Sequence, residues 1–268
     1  MPKFSIIMVC LNAGVELEKT IQSVLSQTYL DYEVIIKDGG SSDGSLACVP
    51  NDDTRIHLIE ESDTGVYDAM NQGLKHASGE WVQFLNAGDY LEEPEVLSKL
   101  AALMEDDSAI NFWYGPYRNR FLAQTIWQPT NFKGFTAYRQ VVCHQTQFLR
   151  KALFEQLGGF DASLKIRADH DFFLRALKQG MLNSQTYDFI AISYADDGLS
   201  VSEKMRRCAA LEAKELHRRH FVFLQQIMYA ILLEISLVRF RCFVVRRLKG
   251  SPLATLYARL ANAYNQKR

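Results

Sequence analysis

Along the first 90 residues, runs of consecutive apolar residues alternate with stretches in which apolar residues recur at helical spacing. The runs have the length of buried strands and predict strands at residues 4–10, 32–37, 55–60 and 81–85. The helical spacing predicts helices at residues 17–25 and 66–77. Strands that alternate with helices are typical of a doubly wound α/β sheet, in which most strands are parallel.

The second half of the chain has shorter predicted elements. The spacing of apolar residues predicts helices and strands in turn, with helices at 97–104, 152–157 and 168–177 and strands at 110–114, 123–127 and 147–150. The last of these helices begins with Ala168-Asp169-His170-Asp171, so two carboxylates lie in its first turn, where the helix dipole favours anions. We predict one domain over residues 1–201, with halves at 1–90 and 91–201.

Composition narrows the class of protein. The 268 residues carry a net charge of −1, so the chain as a whole lacks the positive charge that binds nucleic acid. The five cysteines are far apart and form no CxxC pair, which gives no support to a zinc or redox motif. Because the chain opens directly into a strand, with no signal peptide, we expect a cytoplasmic protein with free thiols.

Positive charge is concentrated at the end of the chain. From Ser202 onward, 14 Lys and Arg residues stand against 4 Asp and Glu residues. Residues 211–245 are long, apolar and helical in pattern, but polar residues interrupt every window of the ~20 apolar residues that a spanning helix needs. We therefore predict that residues 202–268 form a basic amphipathic tail that binds the inner face of a membrane. The alternative is a helical hairpin packed on the core or on a second subunit of a homo-oligomer.

Polar residues follow three of the four early strands. Asn12 follows the first strand, Asp38-Gly39-Gly40-Ser41-Ser42-Asp43-Gly44 the second, and Asn86-Ala87-Gly88-Asp89 the fourth. Ligands of open α/β sheets bind beyond the carboxyl ends of the strands, and glycine lets the backbone approach them closely. We therefore expect a ligand site here, although the same residue types also form ordinary turns.

Four stretches, in order and at matching spacing, resemble a family 2 glycosyltransferase with the GT-A nucleotide-sugar-binding fold. They are Ser5-Ile6-Ile7 to Asn12, residues 37–44, Phe84 to Asp89, and Asp169 to Arg175. The resemblance is strongest to bacterial enzymes that assemble capsule, O-antigen or exopolysaccharide. It implies inverting transfer of a sugar from a nucleotide donor, with a UDP-sugar expected, to a hydroxyl of a lipid-linked or growing glycan. Residues 1–90 would bind the nucleotide and 91–201 the acceptor.

The resemblance also implies a set of donor-binding residues. The family places a base-binding Asp where Asp38 stands, and Asp63, Asp68 and Asn71 could hold a ribose or the diphosphate region. The alternative is a solvated helix face with Asp63 as its cap. The whole donor-binding set is Asn12, Asp38, Gly40, Ser41, Asp43, Asp68, Asn71, Asn86, Ala87 and Gly88.

The stretch from Asn86 to Asp89 departs from the pattern of the family. Its commonest form has an Asp-x-Asp motif, and Asn86 and Gly88 occupy those two positions here, which leaves Asp89 as the only acid. A divalent cation between two phosphates prefers hard oxygen ligands, and one carboxylate with the diphosphate can supply them. We expect Asp89 to bind Mn²⁺ or Mg²⁺.

The last matching stretch supplies the candidate base. Asp169 stands where the family has a catalytic Asp, with Ala168 in place of the preceding Glu, and Asp171 is the competing carboxylate. A general base must lie within hydrogen-bond reach of the acceptor hydroxyl. His144 and Gln145 have counterparts in the resembling enzymes and are acceptor-side candidates, although a lone histidine is more often structural.

Two other functions remain open from the sequence. One is a catalytically inactive module that binds nucleotide-sugars, because two acids of the Asp-x-Asp motif are missing. The other is a sugar nucleotidyltransferase, although Asn12-Ala13-Gly14-Val15 lacks the glycine-rich, Arg-containing loop that those enzymes share. Aromatic residues in the second half could line a sugar platform, with core packing as the alternative: Trp113, Tyr114, Tyr117 and Trp127.

Overall fold

The structure, a computed structural model, describes residues 1–105, 109–130, 134–194 and 202–235. Its strands are β1 Phe4–Cys10, β2 Tyr32–Asp38, β3 Ile56–Glu60, β4 Trp81–Phe84, β5 Tyr90–Leu91, β6 Phe112–Tyr114, β7 Tyr117–Asn119, β8 Gln124–Ile126, β9 Phe148–Arg150, β10 Ser184–Thr186 and β11 Ile192–Tyr194. Its α-helices are α1 Val15–Leu25, α2 Val66–His76, α3 Val96–Glu105, α4 Phe135–Arg139, α5 Lys151–Leu157, α6 Ala168–Lys178, α7 Glu203–His220 and α8 Phe223–Ile235. Short 3₁₀ turns lie at Ser45–Cys48 and His144–Thr146.

The larger sheet confirms the α/β prediction. Its seven strands lie in the order β10-β6-β9-β4-β1-β2-β3, with β4, β1, β2 and β3 parallel and β9 antiparallel to both of its neighbours. Cys10 at the end of β1 lies opposite Asp38 at the end of β2, and Ile7 lies opposite Phe84 at the end of β4. The polar segments that follow these strands therefore meet at one edge of the sheet.

A smaller sheet has the order β5-β11-β7-β8. Of these strands only β8 was predicted, as part of the longer predicted strand at residues 123–127, and β5, β7 and β11, with two or three residues each, were not. Tyr90 of β5 follows Asp89 directly, so the segment from Asn86 to Asp89 joins the two sheets. The guanidinium of Arg120 donates a hydrogen bond to the Gly88 carbonyl and lies 4.5 Å from the centre of the Tyr90 ring.

The core fills both faces of the larger sheet. Every residue of β1 is buried, with Ile6 and Met8 in a cluster that includes residues of α1, and Ile7 and Val9 in a second cluster with residues of α2 and α6. Burial on both faces explains why this strand is a continuous apolar run. Trp113 and Tyr114 of β6 are also buried, so core packing, the alternative to a sugar platform, accounts for these two aromatics.

The tail is not one long helix. The segment expected to be helical from residue 211 is interrupted after α7 and resumes at Phe223 in α8. Leu216 of α7 is fully buried, and the His217 ring stacks on Tyr138 with the ring centres 3.6 Å apart. The described part of the tail is therefore a helical hairpin packed on the core, the alternative to a free amphipathic segment.

None of the described helices is long and apolar enough to cross a membrane. The predicted domain and the predicted tail both extend past the residues that the structure describes. The end of the predicted domain, at residues 195–201, and the rest of the predicted tail, at 236–268, lie outside the described residues.

Candidate functional site

Asp38 organises the loop that follows β2. Its buried carboxylate accepts hydrogen bonds from the backbone N–H groups of Gly40 and Ser41, at 2.8 and 2.7 Å, and from the Ser41 hydroxyl at 2.5 Å. Burial alone would raise the pKa of Asp38, but the hydrogen bonds from Ser41 and Gly40 outweigh it, and the pKa lies below its usual value. Asp38 is thus a fixed carboxylate that shapes the loop from within.

The segment after β1 is joined to the same loop. The backbone N–H of Asn12 donates to the Ser41 hydroxyl at 2.8 Å, and the Asn12 side-chain oxygen accepts from the N–H of Ser42 at 2.9 Å. Asp43 accepts from the N–H groups of Gly14 and Ser45, both at 3.0 Å. These contacts join the two segments into one surface, and the turn at Asp43 is part of it.

A buried lysine lies beneath this surface. The ammonium of Lys37 donates to the carbonyls of Asp38 and Glu61, at 2.9 and 2.5 Å, and lies 3.0 Å from Oδ2 of Asp63. A Cβ atom on Gly39 would lie only 2.6 Å from that same Asp63 oxygen. Lys37 therefore holds Asp63 against the loop, and Gly39 leaves room for it. The other oxygen of Asp63, Oδ1, accepts from the N–H of Gly65 at 3.1 Å, just before α2 begins.

Asp68 and Asn71 of α2 have structural partners. The Asp68 carboxylate accepts from the N–H and the hydroxyl of Thr64, at 2.9 and 3.0 Å, at the start of the helix. The Asn71 amide accepts from the Phe160 N–H at 2.8 Å and donates to the Phe160 carbonyl at 2.9 Å. Asn71 thus joins α2 to a segment 89 residues further along the chain.

The segment from Asn86 to Asp89 has two contacts with the 3₁₀ turn at His144–Thr146. Asp89 is only 4% exposed, and its Oδ2 accepts from Nε2 of Gln145 at 2.9 Å. Nδ2 of Asn86 lies 3.2 Å from Nε2 of His144. Gly88 has a φ of +98°, in the left-handed region that favours glycine, and its N–H donates to the Thr20 hydroxyl at 2.9 Å.

The residues of this segment fit a metal ion that has few protein ligands. Among the described residues, no three His, Cys, Asp or Glu side chains cluster in a way that could hold a metal ion by themselves. The side-chain oxygen of Asn86 is buried and has no hydrogen-bond partner in the described part of the chain, and Asp89 adds a buried carboxylate three residues later. Hard oxygen atoms of this kind suit Mg²⁺ or Mn²⁺ when a diphosphate supplies the remaining ligands.

His144 lies between Asn86 and Asp169. Its Nδ1 is 3.8 Å from Oδ2 of Asp169, and its Nε2 is the atom next to the Asn86 amide. Burial lowers the pKa of His144, and the nearby Asp169 carboxylate only partly offsets this effect. A neutral ring whose Nε2 accepts from Asn86 carries its proton on Nδ1, which faces Asp169.

Asp169 lies in the first turn of α6, with three groups around it. Its Oδ1 accepts from the backbone N–H of His170 at 2.7 Å and lies 3.2 Å from the hydroxyl of Tyr67, while Oδ2 is near His144. The Tyr67 hydroxyl is also 2.7 Å from the carbonyl of Ile166. The carboxylate is therefore held in one orientation at the edge of the sheet where the donor segments meet.

Asp171 has different partners, although it is only two residues away. Its carboxylate accepts from Nε of Arg175 at 2.8 Å and from Nε2 of His220 at 2.8 Å, and it is buried. Burial would raise the pKa of Asp171, but the hydrogen bonds from His220 and Arg175 outweigh it and lower the pKa. Asp171 ties α6 to α7.

Of the predicted site residues, the structure brings five together through the turn at His144: Asn86, Asp89, His144, Gln145 and Asp169. Tyr67 is a member of this cluster that the sequence did not single out. Its position three residues before the buried Met70 was a usable signal, because that spacing places both residues on the inner face of α2. Lys37 gave no such signal, since a lysine that ends an apolar strand is ordinarily exposed.

Comparison with known proteins gives matches along most of the chain. The model of glycosyl transferase family 2 matches residues 5–160. A PGL/p-HBAD biosynthesis glycosyltransferase of Mycobacterium bovis is 32% identical over 208 residues, which cover 74% of this chain and 78% of that protein. A GalNAc(5)-diNAcBac-PP-undecaprenol beta-1,3-glucosyltransferase of Campylobacter jejuni is 42% identical over 96 residues, which cover 34% of this chain and 31% of that protein.

Solved structures match the fold as well. The crystal structure of residues 1–349 of S. aureus TarS in complex with UDP-GlcNAc aligns with a TM-score of 0.64 at 18% identity. The alignment covers 98% of this chain and 89% of that one. The GT-A fold predicted from the resemblance is thereby confirmed, including helices at the C-terminus.

Proposed function

The chain belongs to glycosyl transferase family 2. From this we propose that it transfers a sugar from a nucleotide donor to a hydroxyl of a bacterial glycan or glycolipid, with inversion of configuration at the anomeric carbon. The donor is a UDP-sugar. One observation carries the proposal: the turn at His144 and Gln145 contacts both the segment at Asn86–Asp89, expected at the diphosphate, and Asp169, the expected base.

Asp169 is the general base of this reaction. The acceptor hydroxyl gives its proton to the Asp169 carboxylate as its oxygen forms a bond to the anomeric carbon of the sugar. The bond between that carbon and the phosphate oxygen breaks, and its electron pair leaves with the nucleoside diphosphate. His144 lies beside one oxygen of the carboxylate, with Nδ1 3.8 Å from Oδ2, and the Tyr67 hydroxyl lies 3.2 Å from the other oxygen, so both side chains limit how the carboxylate can turn.

The donor binds across the ends of β1, β2 and β4. The loop built by Asp38, with Asn12 and Ser41, receives the base and ribose, and Asp63 lies fixed beneath it. Asp89 and the side-chain oxygen of Asn86 would hold Mn²⁺ or Mg²⁺. Such an ion neutralises charge on the departing diphosphate when bound.

The acceptor is a lipid-linked glycan, and α8 brings the enzyme to the cytoplasmic membrane face that carries it. The Campylobacter relative is named for an undecaprenol-linked substrate, which supports this class of acceptor. One face of α8 exposes a row of apolar side chains at helical spacing: Phe223, Leu224, Ile227, Met228, Ile231 and Leu232. An exposed apolar row suits a lipid surface, and the Lys and Arg residues of the neighbouring α7 would favour an anionic one.

Flotation with anionic liposomes tests the membrane contact. Replacement of Phe223, Leu224 and Ile231 by Gln removes apolar surface that is exposed in the folded chain, so the tail stays packed. We expect this variant to lose at least half of the liposome-bound fraction. Leu211→Gln, which changes an equally exposed apolar residue on α7, is the matched control and should float like the wild-type protein. A triple variant that floats fully would contradict the assignment to α8.

The function itself is tested by turnover of labelled donors. Purified protein is incubated with UDP-, GDP- and dTDP-sugars, a polyprenyl-diphosphate glycan and Mn²⁺, and both nucleoside diphosphate and glycosylated lipid are measured. We expect transfer with a UDP-sugar. Donor binding without transfer to any acceptor would favour the inactive binding module, and release of pyrophosphate from a nucleoside triphosphate and a sugar phosphate would favour a nucleotidyltransferase.

A further inference from the structure

A glutamate of the tail holds the backbone that leads into α6. The carboxylate of Glu212, in the middle of α7, accepts hydrogen bonds from three consecutive backbone N–H groups, those of Lys165, Ile166 and Arg167, at 2.7, 3.0 and 3.0 Å. The helix begins at the next residue, Ala168. A contact across 45 to 47 residues therefore holds the peptide units just before the first turn of α6.

This contact lies at the start of a helix that has no side-chain cap of its own. The N-cap residue of α6, Arg167, makes no side-chain capping hydrogen bond, and its guanidinium instead donates to the Ala209 carbonyl of α7 at 2.7 Å. Backbone N–H groups at the start of a helix need acceptors, and a carboxylate is stabilised near them. Glu212 supplies an acceptor for the N–H of the N-cap residue Arg167, and it places a negative charge near the start of α6 from another helix.

The segment that Glu212 holds is in contact with Asp169. The Ile166 peptide is held on both sides, by Glu212 at its N–H and by the Tyr67 hydroxyl at its carbonyl. The same Tyr67 hydroxyl lies 3.2 Å from Oδ1 of Asp169. A shift of residues 165–167 would therefore move the tyrosine and the carboxylate together.

We propose that Glu212 is a positioning residue for the transfer reaction, and that the C-terminal helix α7 is thereby part of the catalytic apparatus. The inference rests on the proposed function, because Asp169 is the base only in that function. It goes beyond the membrane role of the tail, since α7 acts on the reacting geometry from the side of the core, whereas the exposed row of α8 faces outward.

The test compares Glu212→Gln with Glu203→Gln. Both variants make the same chemical change on α7, but Glu203 is exposed and pairs with Arg207 only along its own helix. We expect Glu212→Gln to lower kcat about tenfold, as small misplacements of a catalytic group do, while KM for the donor changes less than about twofold. The donor constant should hold because, in the described part of the chain, the hydrogen bonds that shape the loop at Asp38 come from that loop and from the segment after β1, and not from α7. Glu203→Gln should match the wild-type protein in both constants.

Amide hydrogen exchange gives a readout that does not need activity. Glu212→Gln should accelerate exchange at residues 165–167, and Glu203→Gln should not. Unchanged exchange in Glu212→Gln would overturn the inference, and so would faster exchange with an unchanged kcat, which would make the contact merely structural. If the wild-type protein transfers no sugar, the proposed function fails and the positioning role fails with it, while the exchange data would still show whether the contact exists.

Discussion

Replacing Asp169 or Asp171, which share the first turn of α6, by asparagine should have opposite effects: one variant should lose activity and the other stability. Asp169 faces His144 and Tyr67 at the edge of the sheet, whereas Asp171 faces Arg175 and His220 between α6 and α7. Asparagine keeps the size of the side chain and one oxygen acceptor in both positions. It removes the negative charge and the basicity, so each variant shows whether the charge at that position contributes to catalysis or to stability.

For Asp169→Asn we expect a loss of activity with little loss of stability. The variant keeps an acceptor for the His170 N–H, so its free energy of unfolding should change by less than about 1 kcal/mol. Without a base for the acceptor hydroxyl, kcat should fall about 100-fold or more.

For Asp171→Asn we expect the reverse. The buried carboxylate accepts two hydrogen bonds from cationic or ionisable groups, each worth about 1.5–3 kcal/mol, and asparagine keeps only one weaker acceptor. Arg175 retains the carbonyls of Leu157 and Gly159 as partners, which limits the loss to about 2–3 kcal/mol. For a chain of this size that loss lowers Tm by about 4–12 °C.

The assay measures transfer per folded molecule at saturating donor, with urea unfolding and donor affinity measured on the same preparations. The reasoning is refuted if Asp171→Asn is inactive while folded and Asp169→Asn still transfers sugar. Loss of activity in both variants at full stability would also refute it, because Asp171 would then act on the reaction through something other than its tie to α7.

Three further predictions concern the metal ion, the stability of the fold at low pH, and the loop that binds the nucleotide. Asp89→Asn should abolish the Mn²⁺-dependent part of the thermal stabilisation by UDP, and retention of that part would exclude Asp89 as the ligand. Burial lowers the pKa of His170 to about 4, so the folded chain holds the ring neutral while the unfolded chain protonates it below its usual pKa of 6.5. Stability should therefore fall as the pH drops from 6.5 towards about 4, on the order of 2 kcal/mol from this residue by about pH 5, and urea titrations should show a flatter profile for His170→Gln. Gly39→Ala should raise the donor Kd about tenfold by displacing Asp63, measured by calorimetry with UDP, and an unchanged Kd would show that Asp63 does not support the loop.

The sequence predicted the parallel strands of the first half to within about one residue. Burial on both faces explains the apolar runs of β1, β2 and β4, whereas β3 lies at the edge of the sheet and is partly exposed. It missed β5, β7, β10 and β11, which have two or three residues each and take their place from neighbouring strands. It also predicted that polar residues after β1, β2 and β4 share one edge, since that follows from strand direction alone.

The partners of individual side chains could not be predicted in the same way. Asn71 and Phe160 are 89 residues apart, and nothing local to either residue indicates the contact. The resemblance favoured Asp169 over Asp171 as the base, but the partners that distinguish the two carboxylates, His144 and His220, come from distant parts of the chain. The basic tail was predicted from charge, but charge carries no information on Leu216, whose burial fixes α7 on the core.

The packing of α7 sets the order in which this protein can become complete during synthesis. The segment before α6 finds its acceptor only when residue 212 is available, 45 to 47 residues later in the chain. Contacts of such separation form late, after the intervening chain has closed into a loop. A nascent chain that ends at the compositional boundary near residue 201 would expose the surface of Tyr138 that His217 covers, and the start of α6 would lack its partner. The helix that supplies both of these contacts is thus made immediately before the helix that carries the apolar row.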